Sequence, residues 1–179
     1  MVNESSIKKI ITLTFNKESY DKYTKHYRRV YPNRKKMPLS WTRKTPNGQL
    51  VSWNRFINSP NRIMQNQWKQ EFADYTKFIL EDSGLNDLGI ERCAIIVRQY
   101  NGTKAKSDSD NIMIKASLDA MVKCNVIIED NYTVLNPVIL YTDYDKENPR
   151  TEIILYPITN ECNMSEVLNK ITFDNRNYN

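Results

Sequence analysis

At 179 residues, 40% apolar and 26% charged, the chain is the size of one ordinary domain, globular rather than disordered, and long enough to bury a real core. Its four glycines supply no Gly-rich phosphate loop and no dinucleotide fingerprint, which argues against a nucleotide-driven motor or a dehydrogenase. The net charge of +5 hides an asymmetry: residues 17–69 hold 13 Lys and Arg against Glu18 and Asp21, a net of +11, and the remainder carries −6. A basic part beside an acidic part points to a polyanionic partner for the first and a local use of negative charge in the second.

Lys8 to Phe15, with β-branched residues in partial alternation, reads as a first strand. Lys17 to Pro60 is basic and aromatic, with prolines at 32, 38, 46 and 60 and the turn pair Asn47-Gly48. It reads as an extended loop or hairpin arm, with room for a short helix near Tyr20 to Val30. Asn61 to Glu81 carries the clearest helical repeat, through Ile63, Met64, Gln67, Trp68, Phe72, Tyr75, Phe78 and Ile79. Ser59-Pro60 offers an entry and Ser83-Gly84 a stop. Trp68, Phe72, Tyr75 and Ile79 are the expected core residues of this helix.

Glu91 to Tyr100 predicts a strand, and Asn101-Gly102 with the polar residues to Ser107 a turn or short extension leading to an acidic pair, Asp108 and Asp110. Asp110 to Lys123 predicts a second helix, capped by Asp110 or Asn111. Val126 to Ile128 is a short buried segment, and Val134 to Tyr141 a strand whose Pro137 calls for a sheet edge or a bulge. Asp143 to Pro149 is a polar turn, and Thr151 to Ile158 the last strand. Ser165 to Ile171 suggests a short helix, and the Asn-rich end after Asp174 a frayed tail. The expected fold is α/β (α+β): a single domain with a mixed β-sheet, two main helices packed on it, and a basic N-terminal arm.

Cys93, Cys124 and Cys162 are widely spaced, and the single histidine, His26, lies far from them in sequence. Zinc is therefore disfavoured, and free thiols in a reducing compartment are the simpler expectation. Ile10 to Phe15 is too short for a secretory core and no run reaches membrane-spanning length. A cytoplasmic location without membrane contact is expected.

The segment from Ser107 to Asp130 concentrates the chemistry. Asp108 and Asp110 would share a side if the backbone there is extended. Lys115 and Asp119 follow, and then the acidic pair Glu129 and Asp130. Carboxylates repel one another, so a fold that gathers several commonly does so around a hard cation such as Mg²⁺. Such a cation can activate water and stabilise charge on a phosphate during phosphodiester hydrolysis, and Lys115 can add positive charge near the leaving oxygen. No histidine is placed for general-base work.

The pieces Asp108-Ser109-Asp110-Asn111, then Lys115 through Asp119-Ala120-Met121, then Glu129-Asp130, resemble the motif of the RusA-like Holliday-junction resolvases. The specific motifs lie between Asp108 and Asp130, and the element order around them follows the family layout over most of the chain. The resemblance implies a homodimeric, Mg²⁺-dependent endonuclease of bacterial or phage origin (Mn²⁺ a possible substitute) that cuts four-way DNA junctions. It assigns Asp108, Asp110 and Asp130 as metal ligands and Lys115 as the catalytic lysine, with no nucleotide cofactor. Lys115 falls five residues after Asp110 where the family pattern has four, and one extra helical residue is about 100° of rotation.

Other readings of the same residues stay open. Asp-x-Asp-Asn before a helix is often an N-cap. Lys115 and Asp119 form an i, i+4 pair of the kind found on helix surfaces. Glu129-Asp130 also fits an ordinary turn, with Asp130 favoured over Glu129 as a ligand. The candidate DNA-contacting residues are Arg28, Arg29, Arg34, Lys35, Lys36, Arg43, Lys44, Lys104 and Lys106. Tyr23, Tyr27, Tyr31, Trp41 and Trp53 interleave with the arm's cations, which suits phosphate contact with base stacking. Trp53 and Phe56 fit a core role equally well. The competing functions are a branched-DNA-binding protein without catalysis and an RNA-binding or RNA-cleaving protein.

Overall fold

The computed structural model describes residues 10–35, 48–50, 56–58, 61–104, 110 and 112–158. Four strands among them form one mixed sheet: β1 (Ile11–Phe15), β2 (Cys93–Asn101), β3 (Leu135–Tyr144) and β4 (Arg150–Pro157). Their spatial order is β1-β4-β2-β3. β2 and β3 run parallel, with Ile96 opposite Ile139 and Asn101 opposite Tyr144. β4 is antiparallel to β2 through Ile96–Ile154 and to β1 through Leu13–Ile153.

Pro137 has no N–H to give to a ladder, and both solutions expected from it are present. β3 is an edge strand. Cys93 pairs with Leu135 while Ile95 pairs with Val138, so β3 carries one extra residue around Asn136-Pro137, a cis peptide. β2 ends at Asn101, with bends after it, within one residue of the expected end at Tyr100 and where a turn was expected. β3 instead continues to Tyr144, into the segment read as a turn.

Three main helices occur among the described residues, one more than expected: α1 (Lys17–Val30), α2 (Arg62–Asp82) and α3 (Lys115–Lys123). The short helix expected near Tyr20 to Val30 is present and longer, the 14 residues of α1, so the arm's first third is helical rather than extended. Tyr20, Tyr23 and Tyr27 recur at helical spacing, and Tyr23 is buried against Tyr75 of α2, ring centroids 5.1 Å apart. Asn16 starts the helix with a reciprocal capping box, accepting from Ser19 N at 2.9 Å while its own N–H donates to Ser19 Oγ. Gly48 lies against this cap at φ +67°. A Cβ there would collide with the Asn16 carbonyl and come 2.6 Å from Tyr20 Cβ, so only glycine fits.

α2 matches its repeat from Trp68 on, with Trp68, Phe72, Tyr75 and Ile79 all buried, whereas Ile63 and Gln67 of the first turns are exposed. Asn61 caps it by accepting from Met64 N at 2.9 Å, and Ser83 ends it. Ser59-Pro60 lies outside the described residues. α3 begins five residues later than expected, with Ile114 at its cap position and no side-chain cap bond. Ile112 and Met113 are buried, which draws the chain into the core before the helix can start; Asp110 is therefore not its cap, and Asn111 is outside the described residues. α3 packs on α2, where Thr76 Oγ1 donates to Ser117 Oγ at 3.0 Å.

The main core lies between one sheet face and the helices, around Leu13, Phe15, Phe72, Tyr75, Ile95, Val97, Met121, Ile153 and Leu155, with Phe56 joining it. Ala94, Ile96, Ile154 and Tyr156 form a smaller cluster on the other side. Cys93 and Cys124 are free thiols, and burial pushes that of Cys93 up to about 12. Among the described residues no helix is long and apolar enough to cross a membrane. The expected strand start at Lys8, the helix over Ser165 to Ile171, the tail after Asp174, Trp41, Trp53 and Cys162 fall outside the described residues.

Candidate functional site

Lys115 is the first residue of α3, so its side chain leaves the helix at an open end, and it is 55% exposed. Its ammonium lies 2.9 Å from Asp119 Oδ1, one turn along the helix. It also contacts Asp130 Oδ2, which comes from the connection between α3 and β3. Buried Val126 and Ile127 fix that connection, Ile127 bridging in parallel to Ile90 just before β2. A turn then closes on Asn131: its Oδ1 accepts from Thr133 N at 2.9 Å, and its carbonyl accepts from Leu135 N at 2.8 Å. This anchoring presents the Asp130 carboxylate, 25% exposed, to the lysine.

Two carboxylates bracketing one ammonium raise the Lys115 pKa above its usual value, through the hydrogen bond to Asp130 first and that to Asp119 second. The lysine is therefore a fixed positive charge at neutral pH. Glu129 differs from its neighbour: it is exposed and accepts from Asn131 Nδ2.

Asp110 sits in an exposed turn before Ile112. Asp108 lies outside the described residues, as do Lys36, Arg43, Lys44 and Lys106. Among the described residues no three His, Cys, Asp or Glu side chains gather closely enough to hold a metal ion. Asp110 and Asp130 each offer carboxylate oxygens, a donor type that fits Mg²⁺ better than zinc. The Asp130 oxygen already receives a cationic partner, so a metal ligated there would compete with the Lys115 ammonium.

Of the basic candidates, Arg28 and Arg29 occupy the last turn of α1, and Arg34 and Lys35 follow it. Arg34 Nη1 donates to Tyr27 Oη at 3.0 Å, and its guanidinium lies 4.6 Å from the Tyr31 ring centre. The Lys104 ammonium lies 5.6 Å from the ring centre of Tyr144.

Two groupings escaped the reading of the sequence. Arg150 of β4 bonds Asp145 at 2.8 Å and Glu152 at 2.6 Å and stacks 3.8 Å over Tyr100. Asp145 and Glu152 are near it in sequence, but Tyr100 is 50 residues away and meets it through the antiparallel register of β2 and β4. The other is an aromatic groove between α1 and α2, whose signal was the four-residue spacing of Tyr23, Tyr27 and Tyr31. No family model and no curated protein matches the chain.

Proposed function

We propose that this chain is a Mg²⁺-dependent, structure-specific DNA endonuclease that resolves four-way junctions by paired phosphodiester hydrolysis in recombination and repair. The observation that carries the reading is the meeting of Lys115 with Asp130, 15 residues apart in sequence, at the exposed start of α3. These are two of the groups that the motif assigns to the reaction. Asp108, Asp110 and Asp130 would hold the metal, which when bound supplies Lewis-acid charge at the phosphate and lowers the pKa of water.

The chain's own residues do the rest. Asp130 is pre-positioned by the Asn131 turn. The Lys115 ammonium sets positive charge beside the scissile phosphate and its leaving oxygen, where charge grows in the transition state. Asp119 holds that ammonium from the next helical turn. Arg28, Arg29, Arg34, Lys35 and Lys104 supply phosphate contacts away from the carboxylates. Resolution needs matched incisions on two strands, and a two-fold homodimer presents two such sites. Without a cation the carboxylates repel the scissile phosphate while the basic surface still attracts the backbone, so binding persists in part without metal.

One observation favours a second reading. The Lys115–Asp130 ion pair engages both groups against each other, as in a site that binds branched DNA without cutting it. A labelled four-way junction, incubated with Mg²⁺, Mn²⁺ or chelator beside an Asp110→Asn variant, separates the two. The endonuclease predicts paired incisions by the wild type only with metal, and junction binding without incision by the variant. Binding without incision in either metal selects the second reading. Identical incision by wild type and variant removes the assigned site, and tighter competition by structured RNA moves the substrate to RNA.

A further inference from the structure

The C-terminal half of α1 carries an aromatic series that runs from the core to the surface. Tyr23 stacks on Tyr75 at 5.1 Å and touches Phe78 at 5.6 Å; its hydroxyl pKa is raised, first by burial. Tyr27 follows at 6.2 Å and Tyr31 at a further 4.9 Å. Tyr23 is buried, whereas Tyr31 and Val30 stay 45% and 48% exposed. Between the two helices this leaves a groove of about 180 Å³, walled by Tyr23, Tyr27, Tyr31 and Phe78, with Asp74 and Lys77 of α2 on its other side.

Charge identifies the occupant. From Thr24 to Lys35 the chain has five cations, Lys25, Arg28, Arg29, Arg34 and Lys35, and no acid. Arg34 lies 4.6 Å from the Tyr31 ring centre and donates to Tyr27 Oη, so a cation stands at the aromatic wall, and that pairing suits a ligand with a flat π-face attached to phosphates. Across the groove, Lys77 is partnered by Glu81 at 3.5 Å, and Asp74 Oδ1 accepts from Gln70 at 2.7 Å. Asp74 thus offers a carboxylate of the type that accepts from an exocyclic amino group on a base edge.

We propose that this groove binds an unpaired nucleobase of a branched or single-stranded nucleic acid, stacked against Tyr31 and Tyr27, with Arg34 leaving the Tyr31 ring for the adjacent phosphate. The proposal rests on the nucleic-acid part of the function proposed above and gives it a selectivity: open strands at a branch are preferred over uninterrupted duplex. A paired base cannot enter, because its π-faces are already stacked and its edge hydrogen-bonded.

The test uses the full chain and two probes of equal length and charge. One is a forked DNA with 2-aminopurine in an unpaired arm, and the other is the fully paired duplex. Wild type and Tyr31→Phe should bind the fork with quenching of the 2-aminopurine. Tyr31→Ala should lose about tenfold in affinity for the fork, the magnitude of one stacked base, along with the quenching, and less than twofold for the duplex. Tyr31 is half exposed, so an unchanged thermal midpoint excludes unfolding as the cause.

Equal affinities of wild type and Tyr31→Ala for the fork overturn the proposal. Equal losses on both probes also overturn it, by making the surface a general backbone contact. A Tyr31 effect without Mg²⁺-dependent incision of junctions would remove the endonuclease and leave the groove standing. Incision without a Tyr31 effect would do the reverse, and no binding to either DNA would remove both.

Discussion

Lys115 has two possible lives, and their energetics differ enough to separate them. As a helix-surface salt bridge with Asp119 it contributes about 0.3–0.5 kcal/mol, and with both partners partly in water it stays within about 1 kcal/mol. As a charge beside a transferring phosphate it is worth about a hundredfold or more in rate. Lys115→Met keeps the stem and removes the ammonium. We expect incision to fall about a hundredfold or more, while the unfolding free energy changes by less than about 1 kcal/mol. Incision at the wild-type rate would leave only the salt bridge.

The sequence made this residue look out of register, because one extra residue on a helix turns a side chain by about 100°. That objection assumed helix from Asp110 onward. The helix starts at Lys115 itself, and buried Ile112 and Met113 take up the intervening length outside any helical phase. The Lys115–Asp119 pair was therefore legible from spacing, while the backbone state that decides reach was not. Burial of two apolar side chains overrode the capping chemistry of Asp110.

At the level of elements, legibility followed the strength of the apolar repeat. α2 presents Trp68, Phe72, Tyr75 and Ile79 against the core and was readable almost to its ends. α1 buries only Tyr23 completely and has cations between its tyrosines, so its composition read as an arm although its spacing was helical. The proline in β3 gave its edge position and its extra residue from one physical fact, a missing donor.

The Arg150 cluster was illegible because it depends on a crossover. The connection from β3 to β4 passes over the end of β2, where Asp145 N donates to the Asn101 carbonyl at 2.8 Å. There Arg150, with 16% of its side chain exposed, ties that connection to Glu152 and to the Tyr100 ring. Backbone donation from Asn148, and then Arg150 itself, hold the Asp145 carboxyl below its usual range. Arg150→Met would leave two carboxylates without their cation in a partly desolvated site. A loss of about 2 kcal/mol is expected, below the value for a fully buried pair because water still reaches the site. Urea unfolding should show a lower midpoint at an unchanged slope. A shift under about 0.5 kcal/mol would place the cluster among ordinary surface pairs.

Across the whole molecule, the +11 of residues 17–69 is spread along a stretch of which only the first part is α1. The five cations from Lys25 to Lys35 share the stretch that carries the groove's tyrosines, with Arg34 on the Tyr31 ring, whereas Lys115, Asp119 and Asp130 meet at the start of α3, so the proposed function puts attraction of the polymer and chemistry on it in different elements. This separation has a measurable signature. Each phosphate neutralised on duplex DNA releases counterions and contributes about −0.9 to the slope of log affinity against log salt. Five contacts give a slope of about −4.5, a loss of roughly 500-fold between about 50 and 200 mM salt. Stacking releases no counterion, so Tyr31→Ala should shift affinity for a forked probe without altering its slope. Arg29→Ala should instead make the slope shallower by nearly one unit. A slope near zero for the wild type would mean that the basic stretch does not meet phosphates, and would take the polyanionic partner with it. A Tyr31 variant that changed the slope as much as Arg29→Ala would show that the two residues act through one electrostatic contact, and the distinction between holding the backbone and reading an open base would collapse.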